Sequence, residues 1–384
     1  MHFLPGNRIE LLTNGEEYFP ALIAAIDGAL VEVRLETYIF ENDATGCLVA
    51  EALARAAQRG VVVQVMVDGF GASGFVFTLG ERLTAAGVEV RVYRPEVSRF
   101  RLRRHRLRRL HRKLATIDAR VAFVGGINII DDMDTPGRIP PRYDYAVRIE
   151  GPLLAAIHGS MVRLWQLVSW ASFRQRLPLQ RVSVPVTAAR GKMAAAFVIR
   201  DNLRHRHEIE DAYLAAINGA RHEILIANAY FMPGRRFRQA LIAAAARGVS
   251  VTLLLQGRVE YRLLHYAAQA LYDTLLAAGI DIHEYQRGFL HAKVAVIDGH
   301  WATVGSSNID PFSLLLAREA NVIIHNPGFA AELAGSMQQT MAAGASKVPR
   351  DIWKQHTLLH RIASRLAYSL IRLMVGLSGY GGKH

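Results

Sequence analysis

Two histidines head the same short pattern. The segments His111-Arg112-Lys113-Leu114-Ala115-Thr116-Ile117-Asp118 and His291-Ala292-Lys293-Val294-Ala295-Val296-Ile297-Asp298 both read H-x-K-x-x-x-x-D. In each copy an asparagine follows the histidine by 17 residues, closing Gly125-Gly126-Ile127-Asn128 and Gly305-Ser306-Ser307-Asn308. On a strand, His and Lys two apart project from one face. The lysine brings a positive charge to phosphate oxygens, and the asparagine amide can donate further hydrogen bonds to them. Small residues before each asparagine give a bulky anion room close to the backbone. Asp118 and Asp298 complete the catalytic motifs formed by His111, Lys113, His291 and Lys293. Their odd spacing from the histidine turns them to the other face, so their part is read as structural hydrogen bonding. One such motif would be a weak signal; two, each with its own G-(G/S)-x-N, are a strong one.

The elements that must position these residues also occur twice. Glu36-Thr37-Tyr38-Ile39-Phe40 and Asn228-Ala229-Tyr230-Phe231-Met232 are apolar, strand-like runs. Each leads into an Ala/Leu-rich helical stretch ending in Arg-Gly-Val, at Arg59-Gly60-Val61 and Arg247-Gly248-Val249. Strands over 62–67 and 250–255 follow, then helices ending in Ala-Ala-Gly at Gly87 and Gly279, then strands over 88–93 and 280–285. Glycine just past a helix is the expected C-cap. The order is β-α-β-α-β twice, an α/β fold with mostly parallel or mixed sheet flanked by helices.

Bulk properties narrow the partner. Of 384 residues 51% are hydrophobic and the formal net charge is +13, so this is a folded chain attracted to anions: nucleic acid, phosphate-bearing substrate or anionic membrane. Cys47 is the only cysteine, which excludes an internal disulfide and a cysteine metal cluster. The first residues lack a signal-peptide pattern, and no apolar run is long enough to span a bilayer. His105, His205, His207, His356 and His360 are scattered among arginines and are not read as metal ligands. The glycine-rich piece 68–74 lacks the spacing of a phosphate loop and is read as a turn.

The motif pair resembles the HKD signature of the phospholipase D superfamily. That resemblance implies two repeats related by a pseudo-twofold axis, with both motifs meeting in one shared site and no metal or cofactor. One histidine would attack phosphorus; the other would protonate the leaving alcohol and then activate the incoming one. Similarity to better-studied members suggests His111 as nucleophile and His291 as acid/base. Asp144 and Glu319 sit at matching places after the asparagine turns. Each could bond one imidazole nitrogen, fix the tautomer and free the other. Within the superfamily the chain resembles the shorter bacterial cardiolipin synthases. The resemblance runs from residue 6 to about 326 through Tyr38-Ile39-Phe40, Arg200-Asp201-Asn202, the run from Ile226 to Pro233, and Ile309-Asp310-Pro311. It implies phosphatidyl transfer to phosphatidylglycerol, with a phospholipase D-type hydrolase or a nuclease as alternatives.

Two features outside the motifs favour lipid. The first repeat carries about twelve extra residues before His111. In 99–110 lie seven arginines and no acid, a basic flap for anionic headgroups. In the tail, Leu358, Leu359, Ile362, Leu366, Leu370, Leu373, Met374 and Leu377 fall at helical spacing, with Arg361, Arg365, Ser369 and Arg372 opposite. That pattern suits a helix in a membrane interface, or one packed on the core. The expected organisation is a first repeat over 1–175, a connection over 176–190, a second repeat over 191–345 and a basic tail over 346–384. The expected setting is the cytoplasmic face of a bacterial membrane, bound peripherally, with phosphatidylglycerol rather than nucleic acid as partner.

Overall fold

A computed structural model describes residues 1–95, 108–135, 137, 139–171, 183–201, 204–258, 262–311, 313, 317–351 and 357–375. Most of the arginine-rich insertion therefore lies outside the described residues, as do residues 172–182, which include the first part of the connection.

In the first half, β1 (Leu4–Thr13) and α1 (Asn14–Asp27) precede a repeat of β2 (Glu32–Thr37), α2 (Ala44–Gln58), β3 (Val62–Asp68), α3 (Leu79–Ala85) and β4 (Glu89–Tyr93). The motif strand β5 (Lys113–Ile117), then β6 (Val121–Gly125), β7 (Tyr145–Glu150) and α4 (Leu154–Ala171) follow. The second half repeats the order. It contains β8 (Met193–Arg200), α5 (Glu208–Gly219), β9 (Glu223–Asn228), α6 (Arg235–Ala246), β10 (Ser250–Gln256), α7 (Arg262–Ala277) and β11 (Asp281–Tyr285). Then come β12 (Lys293–Ile297), β13 (Trp301–Gly305), β14 (Glu319–His325), α8 (Pro327–Gly344), β15 (Ala345–Lys347) and α9 (Leu358–Val375).

The strands join in one sheet, β15-β11-β10-β9-β12-β13-β14-β8-β1-β7-β6-β5-β2-β3-β4. The order of each half mirrors the other about the antiparallel β1–β8 pair. Parallel pairing is confined to β2-β3-β4 and β9-β10-β11, and the motif strands pair antiparallel to β2 and β9. The sheet is thus mixed. Gly60, Gly87, Gly248 and Gly279 all take positive φ after their helices, as the sequence pattern required.

One expectation shifts. The first strand of each repeat lies at 32–37 and 223–228, and the apolar runs 36–40 and 228–232 are largely the exits from these strands. Phe40 and Phe231 bridge there to Ile129 and Ile309, just past the motif asparagines. The sequence of β2 disguised it, because Glu32, Arg34 and Glu36 look like a solvated face. All three are buried. Glu32 pairs with Arg34 and with His158 of α4, and Glu36 pairs with Arg112, whose guanidinium also donates to Ser160. A polar network, and not water, satisfies these charges.

Each half has its own core beneath its helices. A further core is shared: Leu114, Val124 and Val147 from one half pack with Val294, Val304 and Val322 from the other. Burial of this common face brings the leading ends of β5 and β12 together.

The tail helix α9 docks through a face the sequence reading did not separate. Ser364, Ala367 and Ile371 are buried, His360 bonds Gln269 of α7, and Arg238 of α6 donates to the Tyr368 hydroxyl. The predicted apolar stripe points elsewhere: Leu359, Ile362, Leu366, Leu370 and Leu373 are all exposed.

Candidate active site

Both histidines sit just before their motif strands, each stitched to the opposite half. The His111 amide donates to the Arg318 carbonyl at 3.0 Å, and the His291 amide to the Tyr143 carbonyl at 2.7 Å. Leu110 bridges Arg318, and Tyr143 bridges Leu290. The next residues after Arg318 and Tyr143 are Glu319 and Asp144, so this stitching delivers each carboxylate to the other repeat's imidazole. His111 Nδ1 lies 3.0 Å from Glu319 Oε1 and 3.1 Å from Oε2. His291 Nδ1 lies 2.6 Å from Asp144 Oδ2. The dyads are crossed. With Nδ1 engaged, each Nε2 is the nitrogen left to face a substrate.

Lys113 and Lys293 open β5 and β12 and are buried. Lys113 Nζ donates to the His111 carbonyl at 2.6 Å, and Lys293 Nζ lies 3.3 Å from Asp144 Oδ2. Tyr38 flanks this centre, its ring 4.9 Å from that of His111 and 5.4 Å from Lys113 Nζ.

The asparagines differ. Asn128 Oδ1 accepts from the Ile39 amide at 3.2 Å, which leaves its amide nitrogen for a ligand. In the second half the tie runs the other way: Asn228 Oδ1 accepts from Ile309 at 3.2 Å. Asn308 Oδ1 is buried without a hydrogen-bond partner.

Asp118 and Asp298 lie at the far ends of the motif strands. Asp118 accepts from the amides of Leu30, Val31 and Glu32, and Asp298 from those of Arg221, His222 and Glu223. Burial opposes the charge on Asp298, but its three backbone donors outweigh that and hold the carboxyl below its usual range. Both carboxylates pin the start of β2 and β9.

The small residues also have a different task from the one expected. A Cβ on Gly126 would lie 2.3 Å from Asp144 Oδ1, so the anion given room is the protein's own carboxylate. At the matching place Ser306 donates to Glu319 Oε2 at 2.5 Å. Asp with Gly, and Glu with Ser, are paired solutions to one geometry. Gly126 and Ser306 were read from sequence only as small turn residues, and Asn228 and Tyr38 only as parts of strand-like runs. The visible signal was the swap of Gly for Ser beside the swap of Asp for Glu.

The electrostatics follow from crowding two ammonium groups and two imidazoles in a buried cleft. Burial lowers the His111 pKa, the two lysines add to this, and Glu319 opposes it. Burial and the neighbouring lysines push His291 down to about 3 against the pull of Asp144. Lys113 is brought to about 7, mainly by burial and then by Lys293. Asp144 stays below the usual carboxylate range because Lys293 and His291 outweigh its burial. Burial thus disfavours charge on both imidazoles and both lysines, a bias that an anionic substrate opposes. Among the described residues, no group of three or more His, Cys, Asp or Glu is arranged to hold a metal ion.

Comparison with known proteins gives the family. The family model described as "Cardiolipin synthase, PLD-like domain" matches residues 22–133 and 213–341, one segment per motif. Cardiolipin synthase B of Escherichia coli (strain K12) is 39% identical over 99% of this chain and 91% of its own length. The chain belongs to the cardiolipin synthase family. A second member, cardiolipin synthase A of Proteus mirabilis (strain HI4320), is 31% identical over 94% of this chain and 75% of its own. The fold extends further: phosphatidylserine synthase of Haemophilus influenzae Rd KW20 superposes with a TM-score of 0.66 at 13% identity, covering 98% of this chain and 96% of that one.

Proposed function

We propose that the chain transfers a phosphatidyl group from one phosphatidylglycerol to another, forming cardiolipin and releasing glycerol. The crossed dyads carry this reading, together with the activity named for the family. His111 Nε2 attacks phosphorus while His291 protonates the departing glycerol oxygen, leaving phosphatidyl-His111. The primary hydroxyl of a second phosphatidylglycerol then gives its proton to His291 and displaces His111. Glu319 holds His111 in the tautomer that presents Nε2 and stabilises its charge; Asp144 does the same for His291. Lys113, Lys293, Asn128 and Asn308 bind the equatorial phosphate oxygens, where charge accumulates. The substrate's own negative charge, placed between the imidazoles, favours the protonated form of His291 that donates.

The substrate lies in a bilayer, and α9 supplies a means of reaching it. Its exposed apolar stripe runs beside Arg361, Arg365 and Arg372, suited to the interface of an anionic membrane. No helix among the described residues is long and apolar enough to cross a membrane. Peripheral binding at the cytoplasmic face of a bacterial membrane is part of this proposal. So is the division into repeats over 1–175 and 191–345, a connection over 176–190 and a tail over 346–384.

The test is incubation of the purified chain with phosphatidylglycerol vesicles and, separately, with single-stranded DNA. Cardiolipin and glycerol in equal amounts support the reading. Phosphatidic acid alone would make the enzyme a hydrolase. DNA cleavage with inert lipid would make it a nuclease.

A further inference from the structure

Cardiolipin formation differs from hydrolysis in its acceptor. The acceptor is itself a phosphodiester, whose anion lies a three-carbon glycerol away from the attacking hydroxyl. If His291 deprotonates that hydroxyl, the second phosphate falls on the His291 side of the cleft. Arg142 stands there. Its amide donates to the Asp132 carbonyl at 3.0 Å, and its neighbour Tyr143 accepts from the His291 amide. Its guanidinium lies over the Phe289 ring, with Cζ 4.7 Å from the centroid, two residues before His291. Nε is buried and has no hydrogen-bond partner. Its charge is felt by Lys293 and by Asp132.

The opposite side of the site is built differently. The residue matching Arg142, two before Glu319, is Ala317. The arginines beside His111 are already engaged: Arg318 Nε donates to the Tyr93 hydroxyl at 3.1 Å, and Arg109 lies over Phe70 and 3.9 Å from Asp68. Pseudo-symmetry is thus broken where a transferase must distinguish the incoming group. We propose that Arg142 is the anchor for the phosphodiester of the acceptor phospholipid, and so selects an anionic lipid alcohol over water or a neutral alcohol. A planar guanidinium suits two phosphate oxygens at once. In the step it assists, the acceptor's hydroxyl oxygen bonds to phosphorus as the P–N bond to His111 breaks. The hydroxyl proton passes to His291.

This inference rests on the transferase reading, and one assay separates the two. The full chain is given phosphatidylglycerol in mixed micelles with radiolabelled glycerol. Cardiolipin reports transfer to the anionic acceptor; label entering phosphatidylglycerol reports transfer to the neutral one. Both products partition from one phosphatidyl-enzyme, so their ratio cancels donor binding and chemistry. Arg142→Gln should lower the cardiolipin-to-exchange ratio at least tenfold, and Arg142→Lys should recover part of it. A ratio within twofold of wild type would overturn the proposal. So would a parallel fall of both products, which would make Arg142 a prop for the His291 segment. A wild-type chain that makes neither product would overturn the transferase reading, and this inference with it.

Discussion

Gly126→Ala places one methyl group against the His291 dyad. The added Cβ would sit 2.3 Å from Asp144 Oδ1, where ordinary contact begins at 3.4 Å. The carboxylate must therefore withdraw by about 1 Å, since Gly126 is held by its own hydrogen bond to the Tyr145 carbonyl. That displacement takes the 2.6 Å bond to His291 out of range. Misplacement of a catalytic group by about 1 Å costs on the order of a hundredfold in rate, or about 2.7 kcal/mol. Cardiolipin formation in mixed micelles should fall by roughly that factor, with a melting temperature that shows a folded chain. Ser306→Ala is the milder counterpart, because it removes the hydrogen bond to Glu319 and the one accepted from the Ala320 amide but inserts nothing. A loss of about tenfold is expected. Gly126→Ala turning over within threefold of wild type would refute the view that Asp144 acts through its contact with His291.

Other consequences can be checked as directly. Lys113 must be charged to hold phosphate, and its pKa in the resting site is about 7. Thus kcat/KM should fall as pH rises above neutrality and should weaken on the acid side only below the ordinary histidine range; a flat profile from pH 7 to 9 would contradict this. Burial and the nearby Asp144 raise Asp132 to about 7 from 3.8. The folded state therefore keeps a proton that the unfolded chain has lost, and up to about 4 kcal/mol present at low pH disappears as pH climbs through this window. Asp132→Asn imitates the protonated acid, so it should melt higher than wild type at pH 8 and equally at pH 4. Leu366→Glu with Leu370→Glu alters the exposed stripe of α9 without touching its docked face. Binding to phosphatidylglycerol vesicles should weaken at least tenfold while turnover in micelles persists; unchanged binding would remove α9 from the membrane contact.

The sequence reached far into this site because its information is local. The spacing of His111, Lys113 and Asp118 is a strand property, and the positive-φ glycines are a helix-end property; both can be read within ten residues. The second copy at His291 removed chance as an explanation. That Asp144 and Glu319 could orient the imidazoles was legible; which carboxylate meets which histidine was not. Glu319 and His111 are separated by 208 residues, and only the bridge between Leu110 and Arg318 decides their meeting. Strand β2 was misplaced because its alternating charges are satisfied by Arg112 and His158, partners that tertiary packing alone supplies. The tail showed its amphipathic period, yet the residues that dock it, Ser364, Ala367 and Ile371, fall outside its leucine-rich stripe.

The central claim is a phosphatidyl group carried on His111 and released through His291. Its most direct test uses a phosphatidyl ester of p-nitrophenol, a leaving group that needs no acid, with His291→Ala and His111→Ala variants and intact-protein mass spectrometry. The His291 variant should release one equivalent of nitrophenol and gain a phosphatidyl mass that maps to His111, while the His111 variant gains none. A lipid adduct on His291 in the His111 variant, or no adduct in either, would contradict the account.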